Sequence, residues 1–373
     1  RAAHPRRYRR GEAGRPRRTA ADAASYYELN ANVKLNLTNG TCSGQKCTLH
    51  GWKTANGFDT GTDTSAVYYN AGDLGLGREM HCKRNPADTA AIACYVTNYG
   101  PNFPPAADPA AALSNAISRT APIATVAMEF VPSRLSNPGV RFYVYLHTGN
   151  SDSTDGDVLV PTAALDSEGQ KNVPQVCMSC HGGSYAAGKV KDASFLPFDV
   201  TSFSYDNRLF SAPLFTTTVE VPLYSLAFQQ ENFRKLNSLV KATRLITDSI
   251  AGFIDDLYEP CSVDSPGCKS AFSPDNPMPA PPGWKMKPKL YSLVVAPYCR
   301  TCHLAQRPEI DWTNFDPFDS AAIESYVCQT NPNNRVPHRM PNAEVSYKKF
   351  WSSSGAAARE YLAQVMQFGH CRY

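Results

Sequence analysis

The chain has 373 residues and no run of about 18 consecutive apolar residues, which excludes a membrane-spanning helix. Charge is scarce: Asp, Glu, Lys and Arg make up 19%, against roughly 25% in an average soluble domain. No apolar stretch follows the basic start, so no secretory leader is visible. If the protein is exported, the chain reads as the mature product. A nucleophile triad, a Gly-rich phosphate loop and an H-E-x-x-H helix are all missing, which removes the commonest hydrolase and nucleotide-binding readings. No nucleic-acid-binding module accompanies the basic residues, so nucleic acid is not inferred as a partner.

Core-forming residues are ample, with 42% hydrophobic and 11% aromatic, enough for two or three domains and incompatible with wholesale disorder. The 29 prolines and 23 glycines imply much loop. Twelve cysteines point to an oxidising compartment, periplasmic or extracellular. The net charge of +4 hides an asymmetry: eight arginines and one acid, Glu12, fall within the first 18 residues, leaving the remainder at −3. Such a basic run without apolar periodicity reads as a solvated tail, with docking to an anionic surface as its functional alternative.

The pattern divides the chain into a basic tail (1–22), a β-rich region (23–165), a first cofactor-binding region (166–273) and a mainly helical region (274–373). In the second of these, Val140, Phe142, Val144 and Leu146 alternate with Arg141, Tyr143, Tyr145 and His147, which predicts a half-buried strand. Residues 123–131, between Pro122 and Pro132, predict another. Residues 108–119 predict a short helix with Pro109 at its first position. Residues 223–257 carry Leu236, Leu239, Val240, Leu245 and Ile246 at three- and four-residue spacing, which predicts one or two amphipathic helices. A Pro-rich linker ends at Gly283-Trp284, and three helical stretches follow at 290–302, 320–328 and 354–366. The fold class is therefore α+β.

One motif occurs twice: Cys177-Met178-Ser179-Cys180-His181 and Cys299-Arg300-Thr301-Cys302-His303. Cysteines three apart on a helical turn can each form a thioether to one of a haem's two vinyl groups, and the next residue then offers an imidazole to the iron. A Cys₄ zinc site is the competing reading, but its pairs usually stand about 15–20 residues apart, far less than the separation here. A redox dithiol would need a βαβ context that the pattern lacks. The motif predicts two c-type haems, held by Cys177, Cys180, Cys299 and Cys302 with His181 and His303 on the irons.

The last 90 residues resemble a class I cytochrome c domain. Leu290–His303 matches its attachment helix, Ser320–Cys328 its middle helix, Met340-Pro341 its ligand loop and Ser354–Met366 its final helix. Around Cys177 the likeness is confined to the attachment motif and the trailing Gly182-Gly183, a pair that would let the backbone pass close to the ring. The whole is similar to diheme c-type cytochromes with an added β-rich region.

A six-coordinate iron carries electrons, whereas an open position makes a catalyst. For the second haem Met340, stiffened by Pro341, is the expected far-side ligand, with His338 as the alternative. For the first haem no histidine lies between His181 and His303. Met278 and Met286 stand downstream; His50, Met80, His81 and His147 stand upstream. His81, in a Gly-containing stretch pinned by Cys82, is the expected ligand, followed by His147 and Met278. Arg300, Arg335, Arg339, Tyr298 and Trp351 are candidates for the haem propionates or ring face.

The remaining eight cysteines are even in number, and local pairing (Cys42–Cys47, Cys82–Cys94, Cys261–Cys268, Cys328–Cys371) is the simplest arrangement, each bridge worth about 2–4 kcal/mol. Residues 150–157 are oxygen-rich enough to suggest calcium but lack the closing Glu of an EF-hand, the pattern of an ordinary solvated turn. The expectation is an exported diheme cytochrome that passes single electrons between a redox donor and acceptor. Two alternatives stand beside it: a diheme peroxidase-like enzyme with an open first haem, and a subunit of an extracellular electron-conducting assembly.

Overall fold

Five strands, all but the second rich in β-branched and aromatic residues, form an antiparallel meander: Thr64–Asn70 (β1), Leu76–Asn85 (β2), Asp88–Tyr99 (β3), Pro122–Val131 (β4) and Gly139–Leu146 (β5). Two short strands, Val158–Leu159 (β6) and Phe203–Ser204 (β7), extend it to the order β7-β1-β2-β3-β4-β5-β6. The structure is a computed structural model that describes residues 19–100, 108–132, 135, 138–149, 154–164, 169–214, 217–243, 245–306, 313–320, 323–328 and 343–368. The basic tail lies outside them.

The predicted strand at 140–147 is present, but it is not half-buried. Tyr143 and Tyr145 are as buried as Phe142 and Val144. A second layer covers their face. Helix α1 (Ala20–Ala31) stacks Tyr27 on Tyr143 at 6.0 Å, and α2 (Leu49–Ala55) brings Trp52 to 6.2 Å from the same ring. The phenols are satisfied there: Tyr143 donates to Glu129 Oε2 and Tyr145 to the Lys46 carbonyl, both at 3.0 Å. Reading tyrosine as a polar, outward residue failed because its ring buries while its hydroxyl bonds.

Helix α3 (Pro109–Ser118) matches expectation, with Asp108 accepting from Ala110 and Ala111 and Pro109 in the first turn. It lies so close on β2 that a Cβ at Gly77 would stand 2.0 Å from the Ala112 carbonyl oxygen. The stretch 223–257 resolves into α5 (Leu226–Ala242) and α6 (Asp248–Tyr258), capped by Ser225 and Thr247. On α5, Gln229 completes the ladder of β1: its Oε1 accepts from Val67 N at 2.7 Å and its Nε2 donates to Val67 O at 3.0 Å. This caps the edge at Val67, beyond the two residues that β7 pairs.

One apolar core runs from Tyr26 to Ala305 and takes in both the β-rich region and residues 166–273, so packing draws no boundary between these two. Among the described residues of 184–225 there is no helix; they contain short β-pairs such as Ser184–Ala186 with Lys189–Lys191. The C-terminal region has its own core around Trp284, Leu290, Val295, Phe350 and Leu362. There the expected helix at 290–302 is broken. A π-turn at Tyr291–Val295 precedes a short turn at Ala296–Tyr298, and Arg300–His303 (α7) follows. Pro297 explains the break, because it can donate no backbone hydrogen bond and its ring crowds the turn before it. Glu344–Trp351 (α8) is an additional helix, and Ala356–Met366 (α9) matches the expected last one.

Three of the expected disulfides are formed, Cys42–Cys47, Cys82–Cys94 and Cys261–Cys268. Cys328 is disulfide-bonded as well, its partner lying outside the described residues. No helix among the described residues is long and apolar enough to cross a membrane.

Candidate functional site

The first motif forms α4 (Gln175–His181), and the second forms α7 with Cys299 just before it. Gly182 ends α4 at φ +68°, and Gly183 follows at +85°. A Cβ on Gly182 would stand 2.1 Å from the Ala305 carbonyl oxygen. The glycine pair therefore lets the backbone pass close to the chain behind the second motif, a demand that the sequence pattern did not reveal.

The two motifs, 122 residues apart between their second cysteines, touch. Cys180 Sγ and Cys302 Sγ are 3.4 Å apart. Gln306 Nε2 donates to the Ser179 carbonyl at 3.2 Å, and Thr247 Oγ1 donates to the Leu304 carbonyl at 2.7 Å. Cys177, Cys180, Cys299 and Cys302 are the free cysteines among the described residues. Burial pushes the thiols of Cys177 and Cys299 upward, Cys299 to about 12. Cys302 is raised first by its hydrogen bond with Cys180 and then by burial. These three are therefore neutral thiols near pH 7.

His181 is held from two directions by Ser194. The Ser194 N–H donates to the His181 carbonyl at 2.9 Å, and His181 Nδ1 donates to the Ser194 carbonyl at 2.8 Å. This tautomer leaves Nε2 as the lone-pair nitrogen. Burial pulls the imidazole down to about 4, against the Ser194 bond and with help from the charge of Arg78. His181 is thus neutral and able to ligate a metal at physiological pH. Phe142 lies against its ring at 5.4 Å.

Beside α4 opens an apolar cavity of about 1160 Å³ including its mouth. Cys177, Cys180 and His181 line it, as do Met80, Val96, Val126 and Met128 from the sheet. These sheet residues share one face: Met80 pairs with Val96, Val96 with Val126, and Met128 with Cys94 on one side and Phe142 on the other. Arg78, Asn98 and Asp73 add polar groups to the lining, and Thr301 of the second motif also reaches it.

The expected first-haem ligands are elsewhere. Met80 faces the cavity, so His81, the next residue along β2, projects from the opposite face. There its Nδ1 lies 2.5 Å from Asp63 Oδ2 and its Nε2 3.1 Å from Glu79 Oε1, while its ring stacks on Tyr95 at 4.7 Å. Both nitrogens meet carboxylates, and His81 does not line the cavity beside Cys177. His147 Nδ1 is bound to Asp157 Oδ1 at 2.7 Å. Met278 is buried in the main core and Met286 is exposed; neither lines the cavity. Met128 and Ser194 were not singled out in the sequence, and Met80 was passed over. The alternation of β4 marks Met128 as inward on one face, but nothing local says which face meets Cys177.

Arg300, a candidate for haem propionates, is already engaged. Its guanidinium meets Asp199 Oδ2 from Nε at 3.1 Å and Nη2 at 2.5 Å, and Thr201 Oγ1 at 2.9 Å. It fastens the second motif to the first region. Tyr298 packs edge-on against Phe350 at 5.3 Å, and Trp351 Nε1 donates to the Val327 carbonyl. Met340, His338, Arg335, Arg339 and Cys371 lie outside the described residues. The same holds for residues 150–153 of the oxygen-rich loop; beyond them Asp155 pairs with Lys53 and Asp157 with His147. Among the described residues no cluster of three or more His, Cys, Asp or Glu side chains is arranged to hold a bare metal ion. Comparison with protein-family models, with curated proteins and with solved structures gives no match.

Proposed function

We propose that this is an exported diheme c-type cytochrome that passes single electrons between a redox donor and a redox acceptor. One observation carries the reading. In a chain whose other described cysteines are disulfide-bonded, the four thiols of the two C-x-x-C-H motifs are free, and the motifs lie against each other with Cys180 and Cys302 in contact. Thiols that remain reduced beside disulfides are available for thioether formation. Addition of a thiol across a vinyl group forms one C–S bond and moves the thiol hydrogen to the neighbouring carbon, so no oxidant is consumed.

The residues fit such a group. His181 offers a neutral imidazole fixed by Ser194, and the cavity beside it is apolar. Bound haem would supply a one-electron iron couple. Met128, which lines the same cavity as His181, is the proposed far-side ligand of the first iron. His303 and Met340 are the proposed ligands of the second. Contact between the motifs would bring two such groups close, as a relay requires. The disulfides suit an oxidising compartment, periplasmic or extracellular.

Intact mass of the purified protein tests this. Two haem increments that resist acid-acetone extraction are expected, with one lost in Cys177→Ser/Cys180→Ser and the other in Cys299→Ser/Cys302→Ser. A mass of bare polypeptide, or one zinc per chain in place of colour, overturns the reading. A high-spin ferric iron with hydrogen-peroxide turnover would replace the carrier by the peroxidase-like enzyme.

A further inference from the structure

We propose that Arg78 is the carboxylate-binding residue of the first haem site, receiving a propionate of the group attached at Cys177 and Cys180. The inference rests on the diheme reading and adds the polar half of the pocket to it.

The cavity is apolar along most of its wall, yet Arg78 and Asn98, neighbours across β2 and β3, both face it. Each has a buried polar atom without a hydrogen-bond partner, Arg78 Nε and Asn98 Oδ1. A buried donor left unpaired costs about 1–3 kcal/mol, so Arg78 Nε marks where an acceptor on a ligand belongs, while Asn98 Oδ1, itself an acceptor, calls for a donor such as water. The rest of each side chain is fixed. Arg78 Nη2 donates to Asp73 Oδ2 at 2.9 Å and Oδ1 at 3.1 Å, and Asn98 Nδ2 donates to the Ala124 carbonyl at 3.1 Å. The guanidinium is therefore held in place with one N–H to spare, the geometry that favours a charge-assisted bond to a carboxylate.

The position is also central to both motifs. Asp73 sits in the β1–β2 turn, where a Cβ at Gly72 would lie 2.9 Å from Thr301 Oγ1, and the Gly72 carbonyl accepts from Ser346 Oγ. Arg78 lies near enough to His181 for its charge to depress that imidazole. An amphipathic ligand with an apolar ring and a carboxylate at one edge would set that carboxylate against the spare Arg78 Nε–H.

The experiment uses the full-length holoprotein with Arg78→Leu and Arg78→Lys. Intact mass comes first, and both haems are expected in each variant. In potentiometric titration, Arg78→Leu should lower the midpoint of one haem alone, enough to change its ferrous-to-ferric ratio at fixed ambient potential by tenfold or more. Removing a positive charge favours the ferric form, which sets the sign. A new pH dependence of that midpoint should appear as the freed propionate titrates. Arg78→Lys should shift the same haem in the same direction by less, and it decides the matter through the redox-linked carboxylate infrared bands if Arg78→Leu does not fold. A diheme protein with unchanged midpoints, pH profile and carboxylate bands overturns this inference alone. A wild-type chain without haem overturns the reading beneath it.

Discussion

The same five-residue motif occurs in two different settings. Around Cys177 it is set into the main core: α4 packs beside a seven-stranded sheet, Ser194 clamps the histidine, and the cavity wall is supplied by β2, β3 and β4. Around Cys299 it belongs to a small helical core whose residues are all close in sequence, 284–363. The second setting is built from residues near it in sequence; the first assembles its surroundings from strands at 76–131, about 50 to 100 residues upstream. In the proposed cytochrome the motif would specify the covalent chemistry, while the potential, ligand and solvent access would come from whatever surface the fold brings to it.

The strongest link between the two settings is the Arg300–Asp199 pair, and breaking it has the largest expected effect. Both side chains are about 5% exposed. Arg300→Met would leave Asp199 buried and unpaired, at a cost of about 3–5 kcal/mol in denaturant unfolding. Arg300→Met with Asp199→Leu should recover much of that loss; a single variant as stable as the parent would show that the two regions do not depend on this contact.

Next comes the close approach at Gly182. Its left-handed φ and the 2.1 Å clash of a Cβ with the Ala305 carbonyl oxygen make Gly182→Ala costly, by about 2–3 kcal/mol. Gly156→Ala, where an added Cβ meets nothing within 4 Å, is the control and should be near neutral. Equal effects of the two would remove the argument that the motifs require backbone contact.

Met128→Leu sharpens the comparison without unfolding the protein. The swap conserves volume, so the stability change should stay below about 1.5 kcal/mol. The near-infrared charge-transfer band of a thioether-ligated ferric haem should nevertheless lose one of its two contributions. Met80→Leu should leave that band intact, and the reverse pattern would move the ligand to β2.

The smallest effect belongs to His81. Burial alone would lower its pKa, but hydrogen bonds to Asp63 and Glu79 raise it above the ordinary value near 6.5. Its contribution to stability is thus fully present below that ordinary value and lost as pH rises through the raised one. Asp63 is lowered by its bond to His81, and Glu79 is lowered because His81 outweighs its burial; their share fades as pH falls through those lowered values. His81→Phe should therefore cost most in mildly acidic buffer and least above neutrality, read as the difference in melting temperature across pH. A flat difference would mean that the imidazolium is not clamped.

Much of the local structure was legible in the residues. Pro109 after Asp108, the strand alternation at 123–131 and 140–147, and the close cysteine pairs all foretold what formed, because each rests on interactions within a few residues. The surroundings of the expected ligand were not legible for the converse reason. His81 was favoured for its neighbour Cys82, but period-2 geometry sends adjacent strand residues to opposite faces, and His81 met carboxylates while Met80 met the cavity. Arg300 was one of five candidates for the propionates or the ring face, and the structure pairs it with Asp199, about 100 residues upstream.

Taken alone, the sequence determined where thioethers can form, which histidines follow them and which cysteines staple neighbouring segments, since these depend on spacing along the chain. Only the tertiary structure decided that the two motifs touch, that Ser194 sets the tautomer of His181, and that Arg78 and Met128 face the same cavity. Those facts follow from which sheet face packs on which helix, and that is settled by burying one continuous core rather than by any local pattern.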